Sequence, residues 1–205
     1  MPTKIYRIIH RDNLEAILRD GLLRSPNSGK DTDYISIGET ELVKHRSSMQ
    51  ISIPPGGTIN DYIAFYFGVR SPMLYCIKKG FQAVRRPQTE IIYLESSIEK
   101  LQRLNAQFVF TDGHAYAAFT QFFNDVINLG ELDWQAINAR KWDITLDDPD
   151  RKRRKQAECF VFQELSIEAI EKIAVYNQEA YDYITDVLHR TEKEIPVSIQ
   201  PTWYY

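Results

Sequence analysis

Apolar and polar positions follow two rhythms along this chain. Ile5, Ile8 and Ile9 crowd a short β-prone run at 5–9, and Leu14, Ile17 and Leu18 then recur at the spacing of one helix face. Asp12, with Glu15 three residues on, forms an acidic variant of the capping box, and Gly21 is a suitable helix stop. Residues 24–38 are polar and irregular, and 39–47 can form a helix. Ile53-Pro54-Pro55-Gly56-Gly57 demands a loop. Residues 61–67, aromatic and β-branched, predict a strand, and Ser71-Pro72 opens a helix reaching Ile77, because proline suits the first helical position. Further strands are predicted at 91–94, 108–110, 159–162, 173–176 and 197–199. Helices are predicted near 97–104, 120–129, 133–141 and 179–190. Many short strands without regular βαβ alternation predict an α+β fold.

The 205 residues suit one domain, and 43% hydrophobic residues are enough for a sizeable core. A net charge of -3 gives the whole molecule no general attraction for nucleic acid, so any such contact must come from a local basic patch. Cys76 and Cys159 have no CxxC or His/Cys cluster beside them, which indicates neither zinc nor a disulfide scaffold. With no apolar run near about 20 residues and no leader pattern at the start, a soluble cytoplasmic protein without a membrane partner is expected. Walker, GxGxxG and GxSxG motifs are absent, which argues against kinase, dinucleotide-fold dehydrogenase and serine hydrolase chemistry.

Several residues could carry chemistry. Glu158 opens the apolar run Cys159-Phe160-Val161-Phe162. It is either a solvated strand-edge carboxylate or a fixed, partly desolvated one able to stabilise positive charge. Arg151-Lys152-Arg153-Arg154-Lys155 could bind phosphates, or be balanced by Asp147, Asp148 and Asp150 just before it. His10, His45, His114 and His189 match no metal spacing, and lone histidines are more often structural. Arg46 can complement a helix C-terminus. Tyr66 or Tyr75 can stack on a base or nicotinamide, or simply pack.

Six blocks in order resemble the DarT family of DNA ADP-ribosyltransferase toxins. They are Ile5-Tyr6-Arg7-Ile8-Ile9-His10 with Asn13-Leu14 and Ile17 to Gly21; Pro54-Pro55-Gly56-Gly57 with Asp61-Tyr62 and Phe65-Tyr66-Phe67; Arg70-Ser71-Pro72-Met73-Leu74-Tyr75; Phe108-Val109-Phe110-Thr111-Asp112 with His114; Lys155-Gln156-Ala157-Glu158; and Trp203-Tyr204-Tyr205. The resemblance covers nearly the whole chain. It implies an ADP-ribosyltransferase-like fold, one domain over 1–205 with a split central β core flanked by helices. A segment at about 30–48 would cover NAD, and one at about 114–158 would present the DNA. The family's catalytic arginine and glutamate fall on Arg46 and Glu158.

The implied NAD contacts are Arg7, Ile8, Ile9, His10, Ala16, Arg24, Arg46 and Tyr66, and the implied DNA contacts are Arg70, His114, Arg151, Lys152, Arg153 and Arg154. Family members carry histidine, a hydrophobic residue and threonine where this chain has Arg7, Ile8 and Ile9, and an apolar residue in place of Arg24. The expected activity is transfer of ADP-ribose from NAD, without a metal, to a base in single-stranded DNA, thymine before guanine. A toxic block of replication, a macrodomain antitoxin as partner and a monomeric state are implied with it. The alternatives are transfer to protein or RNA, and a non-catalytic single-strand-binding module.

Overall fold

The computed structural model describes residues 2–29, 33–38, 45–81 and 83–205, with Arg46 by its backbone alone. It is α+β, as expected. Eight strands form one sheet in the order β10 (Val197–Ile199), β9 (Lys172–Val175), β4 (Ile91–Ser97), β1 (Lys4–His10), β3 (Tyr62–Tyr66), β7 (Glu158–Phe162), β5 (Phe108–Thr111) and β6 (Phe122–Phe123). Only β10 and β9 run parallel. A short ribbon pairs β2 (Leu22–Arg24) with β8 (Glu164–Ser166).

The centre of the sheet is split. β1 pairs with β4 along all seven of its residues, from Lys4↔Ser97 to His10↔Ile91, and β3 pairs with β7 from Tyr62↔Phe162 to Tyr66↔Glu158. Between β1 and β3 only Tyr6↔Tyr66 is in register, so the two half-sheets diverge beyond it.

Alternation of side chains assigns the faces. On one face Ile5 and Ile9 of β1, Ile92 and Leu94 of β4, Ile63 and Phe65 of β3, and Cys159 and Val161 of β7 share one continuous core. Two helices cover it, α1 (Leu14–Asp20) and α6 (Gln178–Arg190). The intervening residues point the other way and form two separate clusters. Ile8, Ile91, Tyr93 and Ala174 pack against Leu74 and Ile77 of α2 (Pro72–Lys79), whereas Tyr62, Val109 and Phe160 pack against Ile51 and Ile59. A cleft opens between these clusters, over the split.

Local sequence explains most boundaries. Ser71 caps α2 by accepting from the Leu74 N–H, with Pro72 at the first turn. Gly21 ends α1 at φ 69°, a left-handed conformation natural to glycine. Ser97 caps α3 (Ile98–Arg103). Of the helix expected at 39–47, residues 39–44 lie outside the described residues, and Arg46–Ser48 form a single 3-10 turn.

Three expectations are corrected. Asp12 is not a cap: His10 Nδ1 accepts its N–H at 3.3 Å and caps the 3-10 turn that precedes α1. Residues 120–129 do not form one α-helix: Val126–Glu131 make a 3-10 helix, and the residues before it are extended. Phe122 and Phe123 pair with Thr111 and Phe110 as strand β6, because the edge of β5 offers ladder partners and Phe123 meets the Phe110 ring at 5.4 Å. The helix expected at 133–141 shrinks to α4 (Trp134–Asn138), where the Asn138 amide donates to the Trp134 carbonyl and competes with continuation.

Lys155 ties the two ends of this region together. It follows a short helix α5 (Arg151–Arg154), is only 3% exposed, and donates to the carbonyls of Val69 and Ile137. Burial, with Arg70 nearby, pulls its pKa down to about 8 from 10.5. Between these values the unfolded chain binds a proton that the folded chain has released, so this residue's contribution to stability rises with pH. Wild type minus Lys155→Met unfolding free energy should therefore grow by about 2 kcal/mol between pH ~7.5 and ~10 in chemical denaturation. A difference that stays flat across that window contradicts the assignment.

Candidate active site

Where β1 and β3 part, the Ala64 carbonyl loses its ladder partner, and Arg7 Nη1 takes its place at 2.9 Å. Arg7 thus bridges the split and lines two adjoining clefts. One, of about 330 Å³, is lined by Arg7, Ile8, Tyr34, Tyr66, His114 and Glu158, among others. The other, of about 260 Å³, is lined by Arg7, Asn13, Ala16, Arg24 and Tyr34, among others. Arg7 and Tyr34 belong to both, so an elongated ligand can run from one into the other. Arg7 Nε is buried without an acceptor among the described residues, which suits an anionic or polar ligand group.

Glu158 is the first residue of β7, directly opposite Tyr66, and only 3% exposed. Its backbone N–H donates to Thr111 Oγ1 at 3.2 Å, and its Oε2 accepts the Ala115 N–H at 3.1 Å. Its carboxylate is therefore held rather than solvated. Ala115 lies in the segment joining β5 to β6, with His114 and Tyr116, whose rings stand 5.3 Å apart. Both line the larger cleft. Tyr66 lines it from β3, and its hydroxyl donates to Met73 Sδ at 3.6 Å.

The expected site residues divide. Glu158, Arg7, Ile8, Tyr66, His114 and Lys152 converge on the larger cleft, and Ala16 and Arg24 on the smaller. Arg24 is paired with Asp20 and Glu164. The side chains of Ile9 and His10 line neither cleft. Ile9 is in the core, and His10, 3% exposed, lies between the Asp12 N–H and Glu90. The turn carrying Arg46 packs beside Ile59–Asp61 just before β3. The Arg46 side chain, and with it the role expected of it, lies outside the described residues.

The basic ladder is paired with carboxylates, including those just before it. Arg151 pairs with Asp148; Arg153 with Asp150 and Asp112; Arg154 with Asp133, Asp148 and Asp150. These carboxylates neutralise the helix from within, and Lys155 is buried beneath it. Lys152, 5.9 Å from the Trp142 ring, is the member of the run that lines the cleft. Arg70 is also turned away. It donates to the Tyr204 carbonyl and lies 4.3 Å over the Tyr205 ring.

Sequence reasoning assigned no role to Asn13. Buried at 4% exposure, its amide donates to the Ile35 carbonyl at 2.9 Å and accepts the Ile35 N–H at 2.8 Å. This two-point clamp fixes residues 33–38, which bring Tyr34 and Ile37 over the cleft. Its only signal was an asparagine beside buried apolar positions.

The family model for DarT, ssDNA thymidine ADP-ribosyltransferase, matches residues 6–205. The chain belongs to the DarT family. It is therefore an NAD-dependent DNA ADP-ribosyltransferase. A DarT relative, the DNA ADP-ribosyl transferase of Thermus sp. (strain 2.9), is 38% identical over 100% of this chain and 97% of its own length. The solved Thermus sp. 2.9 DarT in complex with ADP-ribosylated ssDNA superposes with a TM-score of 0.93 at 36% identity, covering 100% of this chain and 97% of that one. The same DarT in complex with NAD+ gives a TM-score of 0.88 at 36% identity, covering 100% and 98%. A DNA ADP-ribosyl transferase-DNA ADP-ribosyl glycohydrolase fusion protein of Thermosipho africanus is 23% identical over 98% of this chain and 49% of its own length. Among the described residues no group of three or more His, Cys, Asp or Glu could hold a metal ion, and no helix is long and apolar enough to cross a membrane.

Removing the clamp should loosen the segment that spans both clefts. Asn13→Leu is expected to weaken NAD binding about 30-fold by calorimetry, consistent with two lost hydrogen bonds of about 1 kcal/mol each, and to speed amide exchange at Ile35. Unchanged NAD affinity would show that 33–38 keeps its place without Asn13.

Proposed function

We propose that the chain transfers ADP-ribose from NAD to thymine in single-stranded DNA, acting as a toxin that blocks replication of the marked strand. The observation that carries this is the buried, hydrogen-bonded Glu158 carboxylate facing a cleft at the split of the sheet. Cleavage of the nicotinamide–ribose bond leaves positive charge on the ribose carbon as the bonding electrons depart with nicotinamide. A fixed carboxylate in a partly desolvated site stabilises that charge without reorganising. The base nitrogen then bonds to the ribose carbon and releases its proton to solvent water. Arg46 acts on the base as a polarising cation, since a guanidinium has no lone pair with which to accept that proton.

NAD lies across the two adjoining clefts under the segment at about 30–48, with Arg7, Ile8, Ala16, Arg24 and Tyr66 along it. The DNA is presented by the segment at about 114–158, through His114 and Lys152. An unpaired base is required, because pairing hides its ring nitrogens. Thymine is supported by the description of the family, which names thymidine. Fusion of a relative to a DNA ADP-ribosyl glycohydrolase supports a partner of that activity, a macrodomain antitoxin that reverses the mark. A monomer in the cell's cytoplasm is the proposed setting.

Labelled NAD offered to DNA, RNA and protein pools, followed by mass spectrometry of the modified oligonucleotide, tests the acceptor; label on thymine alone is expected, and label on RNA, protein or guanine refutes it. Glu158→Gln should lower transfer by about 10² to 10³. Lys152→Ala should weaken oligonucleotide binding and reduce its salt slope by about 0.7. A slope equal to that of the wild type removes Lys152 from the DNA contact.

A further inference from the structure

We infer that Arg153 is a positioning residue for the Glu158 carboxylate, acting through the segment that joins β5 to β6. The inference rests on Glu158 being catalytic. Arg153 touches that segment at its two stems and at the start of its tip. Its Nη1 donates to Asp112 Oδ1 at 2.9 Å and to Thr120 Oγ1 at 3.3 Å. Its carbonyl accepts the His114 N–H at 3.0 Å. The other side of the guanidinium is held by Asp150, with Nε and Nη2 each 2.8 Å from a carboxylate oxygen. The side chain is 16% exposed, so it does not lie open to a strand of DNA.

The segment closes around these contacts. Asp112 Oδ1 also accepts the Gln121 N–H at 2.9 Å, and the Thr120 hydroxyl donates to the His114 carbonyl at 2.7 Å. Gly113 lies directly against Arg153. A methyl group there would come within 2.5 Å of Nη1 and 3.0 Å of the Arg153 carbonyl oxygen, so only glycine permits this approach. The next residues are functional. Ala115 gives its N–H to Glu158, and His114 and Tyr116 face the cleft. Thr111 completes the link, donating to the Gly113 carbonyl at 2.7 Å and accepting the Glu158 N–H.

Arginine is required by geometry. Its planar fork makes a paired contact with Asp150 while Nη1 still reaches Asp112 and Thr120; lysine has a single nitrogen to offer. With lysine the segment is held from one side only, and the Ala115 N–H drifts from the carboxylate. A displacement near 1 Å at a reacting group can cost about 10² in rate.

The test uses the full chain with NAD and a thymine-containing single-stranded oligonucleotide. Arg153→Lys is expected to lower kcat by about 10- to 100-fold. NAD affinity and the salt slope of oligonucleotide binding should stay at wild-type values. If Arg153 instead contacted phosphate, the slope would fall and kcat would hold, overturning the proposal, as would a kcat within about twofold of wild type. Thr120→Val removes the hydroxyl that joins Arg153 to His114 while leaving the Arg153–Asp150 pair. It should show the same loss of kcat, with NAD affinity and the salt slope unchanged, if Arg153→Lys does not fold, and wild-type kcat in this variant overturns the proposal too. Glu158→Gln run alongside separates the two ideas. Wild-type turnover there removes the catalytic reading itself, whereas an inactive Glu158→Gln beside a fully active Arg153→Lys removes only the positioning role.

Discussion

Two half-sheets meet at a single residue pair, Tyr6 and Tyr66, and everything the molecule can do follows from their divergence beyond it. A continuous sheet would satisfy its backbone groups internally and leave no room for a ligand. Here the split exposes the Ala64 carbonyl, and buried backbone groups must find partners. Arg7 supplies one from the side, and in doing so stands between two clefts. One face of the split sheet keeps a common core, so the halves remain fixed relative to each other. The other face is divided into two clusters, and the site occupies the gap. The catalytic geometry is thus a by-product of where the ladder stops.

Electrostatics play a narrower part than the sequence suggests. The chain is rich in cations around the site, yet most are answered by carboxylates close by. Asp112, Asp133, Asp148 and Asp150 turn α5 into a braced unit between the β5–β6 segment and the start of β7. Such pairs are worth less individually than in combination, because each shares a partner with another. The positive charge left to face the cleft from this run is Lys152, with Trp142 beside it. On the proposed reading, recognition of a nucleic acid strand leans on rings and a few placed donors rather than on net charge, in keeping with an acidic protein.

Elements whose signals are local were legible. Ser71-Pro72, Gly21 and the β-branched runs of β1, β4 and β7 set their own conformations within a few residues, and the structure agrees with them. Errors arose where the deciding partner was distant. Phe122, Val126 and Leu129 carry helical spacing, but the free edge of β5 claims Phe122 and Phe123. Arg153 reads as a phosphate binder or a partner of the carboxylates just before it; its further partner Asp112, forty-one residues earlier, leaves no sign in the sequence. Glu158 was legible as a candidate because an acidic residue opened an apolar strand. Its fixation by Ala115 and Thr111 was not, since a backbone N–H and a hydroxyl carry no sequence signature. Asn13 went unassigned for a related reason, its partner being the backbone of Ile35.

The carboxylate at the head of β7 also has a bearing on how the polypeptide comes to life during synthesis. β7 lies between β3 and β5 and is their common neighbour, although it is made long after both. Until it emerges, β3 has no mate on that flank, Ile63 and Phe65 lack the surface they pack on, and Glu158 is not present at all. Any product cut short upstream is both unable to close its interior and without Glu158, the carboxylate proposed to act on NAD. The closing of the interior and the arrival of Glu158 therefore coincide.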